Sequence, residues 1–241
     1  GEMVMGFYVK RFEFPSLDNS KPTTHINKFG YNTAVGSNYE VLSDLGTDPL
    51  PSTATAVSLV SSSGNDTAGG TGAQTVEVQG LDANYNLQTS VVTMAGASAA
   101  TPGSDEYLRV FRMRVLTAGT NETNVGNITA SIGGTDIARI SADAGQTLMG
   151  IYTVPAGYTA FLKKFQASIS KNQEATVQFR TKTFNNGAWQ VKGQFGTFAN
   201  IIEYDYTIPL RIEEKTDIQF RAKAGATSEM GVVFDLLLQK H

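Results

Sequence analysis

The chain has 241 residues and a mass of 25.8 kDa, long enough to bury the core of one large β domain or two small ones. Charged residues make up only 17 % of it, Gly reaches 24, and Thr, Ser, Ala and Asn are abundant, which argues against a chain of long amphipathic helices. With 19 basic against 22 acidic residues it carries no net positive field to hold a phosphate backbone, and with no cysteine it has no disulfide, thiol nucleophile or thiolate metal site.

Residues 1–37 read as an extended N-terminal arm. They hold one apolar run, Gly6 to Phe14, and then polar segments punctuated by Pro15 and Pro22. An arm displaying Phe7, Tyr8, Phe12 and Phe14 is expected to pack on its own domain or on a neighbour rather than stay in water. The N-terminus lacks a basic region followed by a long apolar run, and no stretch approaches the 18 apolar residues of a membrane span. A soluble chain is the expectation, and whether its N-terminus is processed is left open.

From Asn38 onward, short alternating runs are separated by Gly, Asn, Asp and Pro clusters, the pattern of a sandwich or barrel. Strands are expected at 56–60, 74–80, 87–94, 106–116, 127–132 and 136–140. Alternation is clearest in Gln74 to Leu81, and Asp82-Ala83-Asn84-Tyr85-Asn86 supplies a turn into the next strand, so these two runs form the firmest hairpin.

Beyond a soft boundary near 141–146 the pattern sharpens. Strands are expected at 147–154 and 159–169, joined by the Pro155-Ala156-Gly157-Tyr158 turn, then at 175–183 and 188–195 around Asn186-Gly187. The run Ile201 to Ile208 should end at Pro209, followed by strands at 217–223 and 230–239. The fold class is therefore all-β: two β-sandwich, jelly-roll-like domains at 38–145 and 146–241, or one double jelly-roll, preceded by the arm.

Catalytic chemistry finds little footing. The only histidines are His25, in the arm, and His241, the last residue, and no Gly-x-Ser-x-Gly turn is present. Paired acids alone can run a glycosidase, and Glu203 with Asp205, or Glu213 with Glu214, are the candidates; a solvated strand face explains them as well. Asp82-x-Asn84-x-Asn86 begins like a calcium loop, but Leu87 and Thr93 stand where a glycine and a closing glutamate belong, so a plain turn is preferred.

The glycine-rich run Gly64 to Gly72 would cradle phosphate only with a following Lys-Ser/Thr and helix, which it lacks, and reads as a flexible loop. Arg109, Arg112 and Arg114 would grip an anionic partner along one strand or serve as ordinary surface charges. Sequons at Asn65, Asn121 and Asn127 matter only in a eukaryotic secretory protein. No catalytic, cofactor-binding or metal residues are expected, and the chain reads as a non-enzyme.

Four segments carry a resemblance: Tyr31 to Gly36, Val76 to Tyr85, Val110 to Gly119, and Gly145 to Met149 with Val154 to Gly157. Together they resemble virion structural proteins of marine and cyanobacterial tailed phages, over about residues 30–241. The resemblance implies a virion part without settling which; the leading expectation is a capsid-associated protein, a decoration or cement protein or a head fibre, with tail attachment as the nearest variant. A homo-oligomer is expected, with a trimer favoured, and other virion proteins such as the major capsid protein as partners; the charge balance argues against nucleic acid, and the resemblance brings no catalytic residues to carry over. Two other readings stand beside it: a double jelly-roll capsid protein, and a glycan-binding module using Trp189, Tyr204 and Tyr206.

Overall fold

The computed structural model describes residues 20–184, 187–198 and 200–241, and these are all-β, with no helix among them. The run Gly6 to Phe14, expected as the strand of the arm, and the Asn185-Asn186 part of the expected hairpin turn lie outside the described residues.

One sheet runs β1 (Thr23–Val35), β16 (Ser228–Lys240), β11 (Tyr158–Ile169) and β14 (Ile202–Ile212). The facing sheet runs β10 (Ile151–Thr153), β15 (Asp217–Ala224), β12 (Glu174–Lys182) and β13 (Gln190–Phe198), and β2 (Glu40–Val41) also pairs with β15. β2 and β10 are two pieces of a single strand. Val41 and Glu40 oppose Arg221 and Ala222, while Ile151 to Thr153 oppose Gln219 to Asp217, in the same antiparallel sense. Between them the Leu42 amide donates to the Phe220 carbonyl at 3.0 Å, and the Phe220 amide donates to the Gly150 carbonyl at 2.9 Å. Counting that composite as one strand, the sheets read 1-8-3-6 and 2-7-4-5 in chain order. This is an eight-stranded jelly roll built from two Greek keys.

Residues 43–149 leave and rejoin the jelly roll through the middle of that strand, with Ser43 and Met149 bridged at the stem. The insert is a second sandwich. Its larger sheet runs β6 (Glu106–Tyr107), β3 (Thr55–Ser61), β8 (Ile128–Ile132) and β9 (Thr135–Ile140), and its smaller runs β5 (Leu87–Thr93), β4 (Ala73–Leu81) and β7 (Arg109–Ala118). The order does not repeat that of the jelly roll, so the two sandwiches are not equivalent copies.

The segment read as arm thus contains a correction. Thr23–Val35 pairs along its length with β16, from Thr23↔Gln239 to Val35↔Ser228. Its inward positions are Ile26, Lys28, Gly30 and Asn32, a set with little apolar signal. Gly30 explains why: a Cβ there would stand 2.0 Å from the Leu42 carbonyl oxygen and 2.3 Å from the Gly150 amide, so this strand packs backbone to backbone on the stem of the insert.

Three further elements differ from expectation. The 106–116 run breaks at Leu108, whose amide donates to the Leu81 carbonyl at 2.8 Å. Of 147–154, only Ile151–Thr153 is ladder, because Thr147 to Gly150 forms the returning stem. β14 continues through Pro209 instead of ending there, and the residues after Asp205 bulge out of the ladder: Lys164 faces Asp205 while Leu162 faces Leu210. On an edge strand at a bulge, Pro omits no needed hydrogen bond.

Each sandwich has its own core. In the jelly roll, Phe220 lies 5.0 Å from Phe179, 5.2 Å from Phe165 and 4.8 Å from Phe234 between ring centroids. In the insert, Val57, Leu59, Val76, Val78, Tyr107, Met113 and Ile128 are fully buried. The cores interlock, since Leu81 and Phe111 of the insert join the jelly-roll cluster and Val41 and Ile151 join that of the insert.

Candidate functional site

The two histidines and the candidate acids each have a partner in the fold. The His25 ring pairs with Asp235 through Nε2 at 2.8 Å, and Asn27 donates to the same carboxylate at 2.8 Å. His241 Nε2 meets Thr159 Oγ1 at 2.9 Å. Asp205 pairs with Lys163 and Glu203 lies 3.8 Å from Lys164, both exposed cross-strand pairs on a solvated face. Glu213 pairs with Arg211, and Glu214 accepts the Gly157 amide at 2.6 Å.

The Asp82 carboxylate closes its own turn. It accepts the amides of Asn84 at 2.8 Å and Asn86 at 2.9 Å, and the Asn86 side chain at 3.0 Å. Burial pushes its pKa up, but these bonds outweigh it and hold the carboxyl below its usual range. Among the described residues no group of three or more His, Asp and Glu side chains is placed to hold a metal ion.

The Gly64 to Gly72 segment is a fixed loop rather than a flexible one, wrapped around the buried carboxylate of Asp66. That carboxylate accepts the amides of Ala73, Val125 and Gly126, each at 2.8 Å, and the Ser61 hydroxyl at 2.6 Å. The cup that might have cradled an anion is filled by the chain's own anion.

The three arginines of β7 separate. Arg114 makes a two-point pair with Glu77 on the surface, at 2.7 and 3.2 Å. Arg112 donates to the Asn27 carbonyl of β1 at 2.5 Å. Arg109 is largely buried and crosses to the jelly roll, where Nε and Nη2 reach Asp217 at 2.9 and 3.2 Å, while Nη1 donates to the carbonyls of Pro51 and Leu108. Thr153 adds a hydroxyl to Asp217 at 2.7 Å. Beside them Gln219 donates to Asp48 at 2.9 Å and accepts from Arg180 at 2.6 Å. Burial pushes the Asp48 pKa up to about 7, and the charge of Asp217 adds to this against the opposing pull of Gln219, Arg109 and Arg180.

The surface also carries large apolar side chains on and beside the two outer strands of the jelly roll, β13 and β14. Phe198 is 62 % exposed, Ile201 55 % and Ile208 66 %, and Val191 and Tyr204 are also exposed. Tyr204 ties the two edges together: its ring centroid lies 5.4 Å from Phe195 of β13, 6.0 Å from the buried Phe165, and 4.7 Å from Tyr206. Trp189 is half-buried and stacked by the Arg180 guanidinium, 4.3 Å from the ring centroid. Sequence reasoning singled out Tyr204 and Tyr206 but not Ile201, Ile208 or Phe198. The signal was an apolar residue at each even position from Ile202 to Ile208 on a strand that the fold leaves at an edge.

Both edges resist simple strand addition. β13 places Lys192 at a register shift, and β14 carries Glu203, Asp205 and its bulge. Contacts here would be made by side chains rather than by a continued ladder.

The chain matches no family model and no curated protein. A solved structure described as that of infectious bursal disease virus, Gx strain, aligns over 92 % of this chain and 77 % of that chain, at 10 % identity and a TM-score of 0.19. A likeness of that size carries no argument about what this chain does.

Proposed function

We propose that the chain is a non-enzymatic structural subunit of a virus particle, most specifically a capsid-associated decoration or head-fibre protein, and that it assembles with copies of itself through the β13–β14 corner of its jelly roll. The observation that carries the reading is the exposure of Phe198, Tyr204 and Ile208 on adjoining edge strands, with Ile201 just before the second of them. Scattered apolar residues are normal on a surface, but large ones gathered on two neighbouring edges are characteristic of a contact face. The commitment of the candidate acids and histidines to structural pairs supports the same reading, as does the sequence resemblance to phage virion proteins.

Light scattering after size exclusion on the full chain tests it. The expected result is a closed oligomer, a trimer first, that dissociates when Ile201→Asp and Ile208→Asp are combined, with the far-UV circular dichroism unchanged. A wild-type monomer at tens of micromolar would remove the self-assembly reading. Glycan recognition by Trp189, Tyr204 and Tyr206 has less support, since Trp189 is covered by Arg180 and Tyr206 is half-buried. A double jelly-roll shell protein also has less, because the two sandwiches differ in strand order.

A further inference from the structure

The free edge of β1 and the smaller sheet of the insert enclose a cleft of about 230 Å³. Its walls are more apolar than polar: Ile26, Phe111, Tyr152 and Tyr158 line it, neutral polar residues such as Gln79 and Gln88 share the wall, and Lys28 and Arg112 line it as well. Lys28 is only 2 % exposed. Its ammonium donates to the Phe111 carbonyl, leaving two of its three protons without a hydrogen-bond partner among the described residues. Arg112 spends one N–H on the Asn27 carbonyl and lies over the Phe29 ring, 5.6 Å from its centroid. Nε and Nη1 have no hydrogen-bond partner among the described residues.

The Glu77 charge acts on Arg112, but among the described residues no carboxylate lies within ion-pair distance of either cation. The acid nearest in sequence register, Glu77, is engaged at both oxygens by Arg114. No Asp or Glu lines the cleft. Burial first, and then the charge of Arg112, push the Lys28 pKa well below the usual lysine range. A buried amine whose charged form is disfavoured by burial and by a neighbouring guanidinium would hold its proton more readily with an anion in the cleft.

We propose that this cleft binds a small organic anion, a carboxylate on an aromatic or branched apolar body, with its oxygens between Lys28 and Arg112 and its body against Tyr152, Tyr158 and Phe111. The fork of the Arg112 guanidinium suits a planar carboxylate. The volume lies below that of sites for drug-sized ligands, so the ligand is small. The assignment does not depend on how the chain assembles.

The test uses the full chain with sodium benzoate as the probe, followed by calorimetry or by NMR of the tyrosine ring protons, with benzamide as the neutral isostere and inorganic phosphate as the bare anion. Benzoate is expected to bind saturably, and at least tenfold more tightly than benzamide or phosphate. Lys28→Met and Arg112→Gln should each weaken benzoate at least tenfold, and Lys28→Met should leave Tm unchanged or higher. Absence of saturable benzoate binding, equal binding of benzamide, or variants that bind as the wild type does would each overturn the proposal. Phosphate binding as tight as benzoate would overturn the organic-anion assignment. Should Lys28→Met fail to fold, the benzoate affinity of Arg112→Gln decides alone.

Discussion

Arg109 of the insert and Asp217 of the jelly roll form a two-point ion pair, Nε to Oδ1 at 2.9 Å and Nη2 to Oδ2 at 3.2 Å, with only 11 % and 7 % of their side chains exposed. Parallel N–H···O bonds of this kind fix orientation as well as distance. Because the remaining Arg109 donors end on the Pro51 and Leu108 carbonyls, and Thr153 fills a site on Asp217, the pair is hydrogen-bonded on both sides and holds two sandwiches that the chain joins only through a strand split in two.

Removing one partner should therefore cost more than removing both. Arg109→Met leaves Asp217 buried with the Thr153 hydroxyl as its only remaining hydrogen-bond donor among the described residues, and a loss of roughly 3 kcal/mol is expected for breaking a buried pair. Adding Asp217→Asn should restore at least half of it. Urea denaturation of the two variants checks this; a double variant less stable than the single one would show that the pair contributes little coupling of its own.

Asp48 gives this junction a pH dependence of definite sign. A carboxyl whose folded-state pKa of about 7 lies above its unfolded-state value holds its proton more tightly when folded. Its contribution is fully present below about pH 4, declines as pH rises to 7, and changes no further above that. The charges facing it are Asp217, which raises the pKa, and Arg109 and Arg180, which lower it. Asp48 keeps some solvent contact as a residue, so an effect on the order of 1–2 kcal/mol is expected, below the ~4 kcal/mol of a fully dry carboxyl. Asp48→Asn, which still accepts from Gln219, should exceed the wild type by that amount at pH 8 and match it near pH 4. Equal stability of the two proteins at both pH values would show that the carboxyl is ionised in the folded protein at no cost.

At the stem, Gly30→Ala drives a methyl group into the Leu42 carbonyl and the Gly150 amide, backbone atoms on both sides of the point where the insert leaves the jelly roll. Neither can withdraw without opening the composite strand, so a loss of at least ~3 kcal/mol or a failure to fold is expected. Gly64→Ala is the control: a Cβ there meets nothing within 4 Å. Thermal melts of the two variants should differ by many degrees, and comparable melting temperatures would mean the stem relaxes freely.

How much of this was legible depended on what each strand packs against. β4 and β5 declare themselves because one face of each meets apolar side chains, as Val76, Val78 and Val92 do, and period-2 alternation records that. β1 faces the backbone at Gly30 and a carbonyl at Lys28, so its inward face reads as polar and the segment passes for an arm. The jelly-roll class was visible in the strand count, but not the insertion, because the halves of the composite strand are separated by more than a hundred residues and each is too short to announce itself. Arg109 looked like a surface charge for the same reason: Asp217 lies 108 positions away. Asp66 was hidden in a run of Gly, Asn and Thr whose composition is that of any loop.

Asp66 also yields the prediction that most directly separates an ordered loop from a mobile one. Its four donors are three backbone amides and a hydroxyl, all from the insert, linking the start of β4 to the turn before β8. Asp66→Ala strands those amides without acceptors, and at ~1–3 kcal/mol for each buried unsatisfied group the expected loss is on the order of 4 kcal/mol. Asp66→Asn keeps one acceptor oxygen but turns an NH2 toward donors, so it should lose about half as much. Burial pushes the Asp66 pKa up, but its hydrogen bonds prevail and leave it below the usual value. A depressed folded-state pKa means that this stabilisation is present above the unfolded-state value, about 4, and is lost as pH falls through the folded-state pKa. The wild-type advantage over Asp66→Asn should therefore shrink on acidification below pH 4, whereas an advantage independent of pH would point to packing rather than to the ionised carboxylate. Hydrogen exchange at Ala73, Val125 and Gly126 reports the same bonds one by one, and all three amides should lose protection together in Asp66→Asn.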